Sequence, residues 1–282
     1  MASANGYANP AALVDTAWVA EHGADPGVRL IEVDVDTSAY ATGHISGAVG
    51  WDWQQDLQRR PSRDIPDQGE WEALLSRSGV SSDSTVVLYG DNNNWFAAFA
   101  YWLFKLYGHN DVKLMNGGRA KWVAEGRPLT TDESNIRATQ YAVTNPNPGL
   151  RAYRDDVAAS IGGSGGLVDV RSPKEFSGEL LAPENMPQEG AQRGGHVPGA
   201  ANVPWATAVA EDGTFKPHSD LSALYGGKGI AAEQPTITYC RIGERSAHTW
   251  FVLTELLGHP NVRNYDGSWT EWGSLIGAPI ER

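Results

Sequence analysis

Thr236-Ile237-Thr238-Tyr239-Cys240-Arg241-Ile242-Gly243-Glu244-Arg245-Ser246 changes character at its middle. The first four residues are mostly β-branched or aromatic, the make-up of a short buried strand. From Ala247 to Leu257 the apolar residues recur with a helical period. Cys240 therefore stands at a strand-to-helix turn with Arg241, Gly243 and Arg245 around it. Backbone N–H groups at a helix start carry partial positive charge, and arginine adds full charge. Both favour a thiolate, the nucleophilic form. A structural cysteine more commonly sits in an apolar run without charged neighbours.

The stretch is half of a duplication. Tyr89 recurs as Tyr239, Ala97 as Ala247, Leu103 as Leu253, and Gly108-His109 as Gly258-His259. At the same offset Val112 answers Val262, Gly117 answers Gly267 and Trp122 answers Trp272. Upstream, Gly43-His44-x-x-Gly47-Ala48 answers Gly195-His196-x-x-Gly199-Ala200. Each half reads as strands at 28–33, 86–89 and 112–115, or 166–170, 236–239 and 262–265, with helices between them. The spacing places an amphipathic helix at 95–107 and another at 246–257. Alternating strands and helices predict an α/β fold: a mainly parallel sheet with helices on both faces, built twice. Residues 127–152 lose the apolar period and read as a linker. In such sheets ligands bind at the carboxyl ends of strands, where Cys240 lies.

The chain has 282 residues and 41% apolar content, enough for two domains. Cys240 is its only cysteine, which excludes an intramolecular disulfide and a multi-cysteine metal site and fits a reducing cytoplasm. The first twenty residues lack the pattern of a signal peptide. No stretch reaches the ~18 apolar residues of a membrane span. A net charge of −12 argues against general nucleic-acid binding, so an anion site must be made locally.

The halves differ at the turn. Gly90 stands where Cys240 stands, followed by Asp91-Asn92-Asn93-Asn94, with no nucleophile and no arginine. A structural role follows for the first half, and Gly90→Cys is expected to give a stable protein without new activity. The second half also carries an insertion, 179–193, which reads equally as a flap over the site, a docking surface or a surface loop of no consequence.

Cys240-Arg241-Ile242-Gly243-Glu244-Arg245-Ser246 resembles the active loop of the tandem-domain rhodaneses, the thiosulfate sulfurtransferases. Val168-Asp169-Val170-Arg171-Ser172-Pro173, Gly195-His196-Val197-Pro198-Gly199-Ala200 and Tyr265-Asp266-Gly267-Ser268-Trp269 resemble that family's other signatures, in order, over nearly the whole chain. The resemblance implies two rhodanese-like domains, the first (1–126) non-catalytic and the second (153–282) catalytic, joined by the 127–152 linker. It implies a persulfide on Cys240, a small anionic donor such as thiosulfate, cyanide or a thiol as acceptor, and no metal or organic cofactor. A protein acceptor is left open, and tandem domains make a working monomer reasonable.

Arg245 and Arg241 are the candidate substrate cations. Ile242, Gly243, Glu244 and Ser246 supply loop backbone, Gly243 because it tolerates positive φ. Asp169 and Arg171 support the loop, bind substrate or form a local ion pair. Ser268 and Trp269 either wall the pocket or cap the next helix. The family's second basic contact falls where this chain has Lys174 and Glu175, so Arg193 is the substitute candidate. His44 and His196 occur in both halves and are read as braces, and His248 as packed.

Three alternatives compete. A 3-mercaptopyruvate sulfurtransferase resembles this loop but carries small neutral residues where Arg241 and Arg245 stand. A cysteine-dependent phosphatase or arsenate reductase needs Cys-x5-Arg, whereas Cys240 to Arg245 is Cys-x4-Arg. A non-enzymatic sulfur carrier needs no turnover at all.

Overall fold

Short β-branched runs become parallel strands twice over. The structure, a computed structural model, describes residues 5–183 and 190–282. The first sheet contains β1 (Leu13–Val14), β2 (Val28–Val33), β3 (Val49–Trp51), β4 (Thr85–Tyr89) and β5 (Val112–Met115), in the order β1-β5-β4-β2-β3. The second contains β6 (Gly166–Asp169), β7 (Ala201–Asn202), β8 (Thr236–Tyr239) and β9 (Val262–Tyr265), in the order β7-β6-β8-β9. Every strand pair is parallel. The order β3-β2-β4-β5 thus corresponds to β7-β6-β8-β9, and the duplication holds strand by strand. Even the edge is echoed: β1 pairs β5 at Val14 and Met115, and Arg151 bridges Asn264 in parallel at the matching edge of β9. The α/β class with helix-covered parallel sheets is as expected.

Two compact units result. One comprises Ala11–Pro148 with Val209–Phe215, and the other comprises Gly149–Ala208 and Lys216–Arg282 with the segment up to Pro10. Residues 127–147 run without helix or strand along the first unit. Thr130 exchanges backbone hydrogen bonds with His44, and the N–H groups of Thr139 and Asn147 donate to the carbonyls of Ser76 and Leu106. The hairpin at 209–215 joins this unit through Lys121–Asp212 (2.8 Å) and the Phe215 N–H on Asn116 Oδ1 (2.9 Å).

The two long helices depart from amphipathic expectation. Trp95–Leu106 buries every residue but Lys105, and all of Glu244–Phe251 is buried. A helix covered on all sides needs no polar face. In the second case the buried set includes Glu244, Arg245 and His248, so charge is enclosed there. The helix also begins earlier than its apolar period suggests, at Glu244, and ends in a π turn, Val252–Leu256.

The duplicated Gly-His motif braces each unit in the same way. His44 stacks on Tyr40 with ring centroids 3.8 Å apart and donates from Nδ1 to the Tyr40 carbonyl. His196 stacks on Phe176 at 3.5 Å and donates to the Phe176 carbonyl. The next residue is held by the conserved-in-duplicate tyrosine: the Ile45 N–H donates to the Tyr89 hydroxyl (3.0 Å) and the Val197 N–H to the Tyr239 hydroxyl (3.1 Å). Both tyrosines are fully buried. Removing either hydroxyl strands a buried N–H, at a cost of ~1–3 kcal/mol. Tyr89→Phe and Tyr239→Phe should each lower the unfolding free energy by that amount, read as a lowered urea midpoint at unchanged slope. An unchanged midpoint in both would mean the hydroxyls brace nothing.

Candidate active site

The turn after β8 is closed on itself. The Gly243 N–H donates to Cys240 Sγ at 3.1 Å, so the loop curls back over the sulfur. Gly243 takes φ +102, and a β-carbon there would lie 2.6 Å from Asp266 Cα, a contact no side chain permits. The loop carbonyls and hydroxyls are tied to β9: Asn264 Nδ2 donates to the Gly243 carbonyl (3.0 Å) and the Ser246 hydroxyl to Asn264 Oδ1 (2.6 Å). Asp266 is in turn held bidentately by Arg151, with both contacts at 2.8 Å. At the other end the Cys240 N–H donates to Ser268 Oγ (3.1 Å), and the Trp269 N–H donates to the Cys240 carbonyl (3.0 Å). Ser268 and Trp269 therefore seat the start of the loop.

Cys240 itself is fully buried. Sequence spacing carries no information about what covers an atom from other strands and turns.

Arg245 is 4% exposed and forms a bidentate ion pair with Glu175 at 2.9 and 3.0 Å. Burial works against the guanidinium's charge, but the Glu175 hydrogen bonds and the neighbouring Cys240 outweigh it and raise its pKa. For Glu175 burial opposes the charge too, and the Arg245 hydrogen bonds overcome it, lowering its pKa to about 2. Glu175 reaches this place because Ser172 caps the short Pro173–Ser177 helix in a capping box with it. The residue type that breaks the family's basic pattern is thus the anchor of the loop arginine. The Ser-x-x-Glu spacing was the signal for it. Arg241 is 1% exposed, and burial lowers its pKa against the opposing charge of Glu244. Glu244, fully buried, places Oε2 at 3.8 Å from Cys240 Sγ.

The other candidates fall outside this cluster. Arg171 is paired with Asp169 through Nε and Nη2, donates to the Gly195 carbonyl, and lies 4.6 Å from the Trp269 ring centroid. The pair is the local ion pair of the three readings. Arg193 is placed elsewhere than expected: its guanidinium donates to the carbonyls of Gly273, Trp272, Leu275 and Ala278 and fastens the C-terminal segment. Four carbonyl partners consume the donors that a substrate anion would need. His248 sits edge-on to Trp205, and burial pushes its pKa down to about 3, so the ring is neutral. The 179–193 insertion lies partly outside the described residues, at 184–189.

The first unit closes the equivalent turn. A β-carbon at Gly90 would stand 2.1 Å from the Val33 carbonyl oxygen, so Gly90→Cys is not tolerated as the sequence suggests. Asp91 accepts from the Val35 and Asp36 N–H groups, and Asn92, Asn93 and Asn94 all take positive φ. Burial together with Glu32 and Asp91 pushes Asp34 up to about 9. Carboxylates gather where the other unit gathers arginines. Elsewhere in this unit a cavity of about 480 Å³ is lined by Gln54, Gln58, Arg59, Arg60 and Arg77, with Arg59 and Arg77 already paired to Glu70 and Asp56. Among the described residues there is no cluster of three or more side chains able to hold a metal ion, and no helix long and apolar enough to cross a membrane.

The rhodanese-like domain is matched twice, over residues 15–125 and 154–275. The chain belongs to the rhodanese-like family and is a sulfurtransferase. It is 58% identical to a provisionally named thiosulfate sulfurtransferase of Mycolicibacterium smegmatis, over 95% of this chain and 97% of that protein. It is 56% identical to the sulfur carrier protein TtuD of Thermus thermophilus, over 98% and 99%. An anaerobic ergothioneine biosynthesis enzyme of Chlorobium limicola shares the fold at TM-score 0.85 and 23% identity, over 98% of this chain and 71% of that one.

Glu175→Gln should show how far the loop depends on its anchor. Breaking a buried pair costs ~3–5 kcal/mol. Because the folded-state pKa is depressed, the pair's contribution is present in full above the carboxyl's unfolded value and is lost as pH falls toward about 2. Wild type and variant should therefore converge in stability on acidification. Parallel pH–stability curves would refute the pairing.

Proposed function

We propose that the chain moves the outer sulfur of thiosulfate to a thiol, or to cyanide in assay, through a persulfide on Cys240. The observation that carries this reading is the Gly243 N–H on Sγ, in a loop with one arginine on either side of the turn. Attack by the Cys240 thiolate forms a bond to the sulfane sulfur. The donor's S–S bond breaks with its electron pair, and sulfite leaves. An acceptor thiolate then takes the terminal sulfur and regenerates Cys240, a two-step covalent cycle. Arg241 and Arg245 supply charge for the departing sulfite. Because Cys240 is covered, donor entry requires side-chain movement at the loop. The Thermus relative's name, a sulfur carrier, supports handing the sulfur on to a further molecule. The Gly90 turn has no nucleophile, which supports a structural role for residues 1–126 and catalysis within 153–282. A single cysteine without disulfide fits a reducing, cytoplasmic setting.

The decisive experiment is intact mass. Thiosulfate should add one sulfur to the wild type, and cyanide should remove it. Cys240→Ser should gain nothing and not turn over. Turnover in Cys240→Ser would defeat the mechanism. Donor choice has its own test. Arg241→Met keeps volume and removes charge, so kcat/KM for thiosulfate should fall by about 10- to 100-fold, since each charge-assisted bond contributes ~1.5–3 kcal/mol. The loss for 3-mercaptopyruvate, a monoanion, should be smaller. Equal losses for both donors would make Arg241 a structural residue.

A further inference from the structure

Cys240 shares its enclosure with four charged groups. Arg241 and Glu244 lie on its own loop and helix start, Arg245 lies one residue further, and Glu175 enters from the Pro173–Ser177 helix. All five are at most 4% exposed. Each arginine feels the charge of Cys240, Glu175 and Glu244. Asp266, which backs Gly243 from the turn after β9, is neutralised by Arg151. His248, one turn along the helix, is neutral at physiological pH.

The division of labour among the carboxylates is uneven. Glu175 is committed to Arg245 through both oxygens. Glu244 instead presents Oε2 to Sγ at 3.8 Å, within reach of an S–H···O hydrogen bond. Two arginines and two carboxylates sum to zero while the thiol is protonated. Losing the thiol proton to water would leave an extra negative charge inside a buried site, which is costly. Moving the same proton from Sγ to Glu244 leaves the sum at zero. The enclosure therefore favours an internal proton transfer over ionisation to solvent.

We propose that Glu244 is a catalytic residue, the acceptor of the Cys240 proton. This rests on the sulfur-transfer reading above only for its role in turnover. The Sγ–H bond breaks, its electron pair stays on sulfur, and the proton bonds to Glu244 Oε2. The thiolate then attacks the sulfane sulfur, and the donor's S–S electron pair leaves with sulfite. The proton stays on Glu244 through the persulfide stage. When the acceptor removes the terminal sulfur, Cys240 departs as a thiolate beside a carboxylic acid that hydrogen-bonds to it. No proton is consumed in the cycle, and atoms and charges balance.

The pair titrates as a unit, so its signature is a shape of curve. Over the pH range in which the pair holds one proton, a fixed fraction of the protein is thiolate. The test is the ultraviolet absorbance of the thiolate against pH, taken on the full chain as wild type minus Cys240→Ser. It is repeated as Glu244→Gln minus Glu244→Gln/Cys240→Ser. Glutamine keeps the size of the side chain and cannot take the proton. The wild type should hold a thiolate plateau on the acid side, and the glutamine variant should instead lose thiolate about tenfold per pH unit. Its kcat/KM for thiosulfate should follow the same shape, falling about tenfold per pH unit on the acid side where the wild type stays level, with the level profile partly recovered in Glu244→Asp. Superimposable titrations would overturn the proposal. So would more thiolate in the glutamine variant at every pH, since the carboxylate would then only repel the thiolate. If thiosulfate loads no sulfur on the wild type, the sulfur-transfer reading fails, while the absorbance titration still decides the proton pair.

Discussion

The closeness of two backbones governs this site. Gly243 lies so near Asp266 that a β-carbon would stand 2.6 Å from its Cα. That approach lets the turn curl until the Gly243 N–H meets Sγ, and it starts the following helix at Glu244. It also sets which side chains are swept inward. With the helix beginning at Glu244, that residue and Arg245 fall in the first turn, beside the sulfur. Asn264, Asp266 and Ser268 hold this geometry from β9 and the turn after it, with Ser246 meeting Asn264 from the helix and Arg151 fixing Asp266. A glycine at one position thus fixes a hydrogen bond, a helix start and a charge cluster together.

The fold was legible because its signals are local and repeated. Parallel strands covered on both faces read as short β-branched runs, and each of these runs appears in duplicate with its flanking motif. Strand limits at 28–33, 112–115, 236–239 and 262–265 coincide with those observed. What was not legible is non-local. The apolar period of the Trp95–Leu106 helix says nothing about how completely it is enclosed. The grouping of the 209–215 hairpin with the first unit, and of the segment up to Pro10 with the second, depends on contacts across most of the chain length.

The site was legible as a loop and not as a network. Cys240, Arg245 and the glycine were read from one contiguous segment. Glu175 lies far upstream and entered the reading only as the wrong charge in a basic position. In the folded chain that charge is what holds Arg245. Arg193 failed in the opposite way: its charge type suited an anion, but its donors were already spent on four backbone carbonyls at the C-terminal end. Sequence supplies residue types, and partners decide what those types are free to do.

The same logic changes the meaning of the two loop arginines. Counted in sequence, they make a cationic turn suited to a dianion. In the structure each sits with a buried carboxylate in its field, Glu175 for Arg245 and Glu244 for Arg241. The enclosure with its thiol protonated is neutral overall, so a dianion can gain over a monoanion only through direct bonds to a loop guanidinium, the kind of contact that Arg241→Met would remove. Discrimination must come from direction, through N–H and guanidinium donors held by a rigid turn. The first unit gives the contrast. Its turn is as closely packed, with a carbonyl 2.1 Å from any β-carbon at Gly90 and three asparagines at positive φ, yet its carboxylates are the buried Glu32 and Asp34 and the half-buried Asp91, with Arg119 paired to Glu32. There the same backbone architecture encloses acid, and Asp34 meets the charge problem by keeping its proton. Similar scaffolds therefore part ways through the charged groups that each encloses.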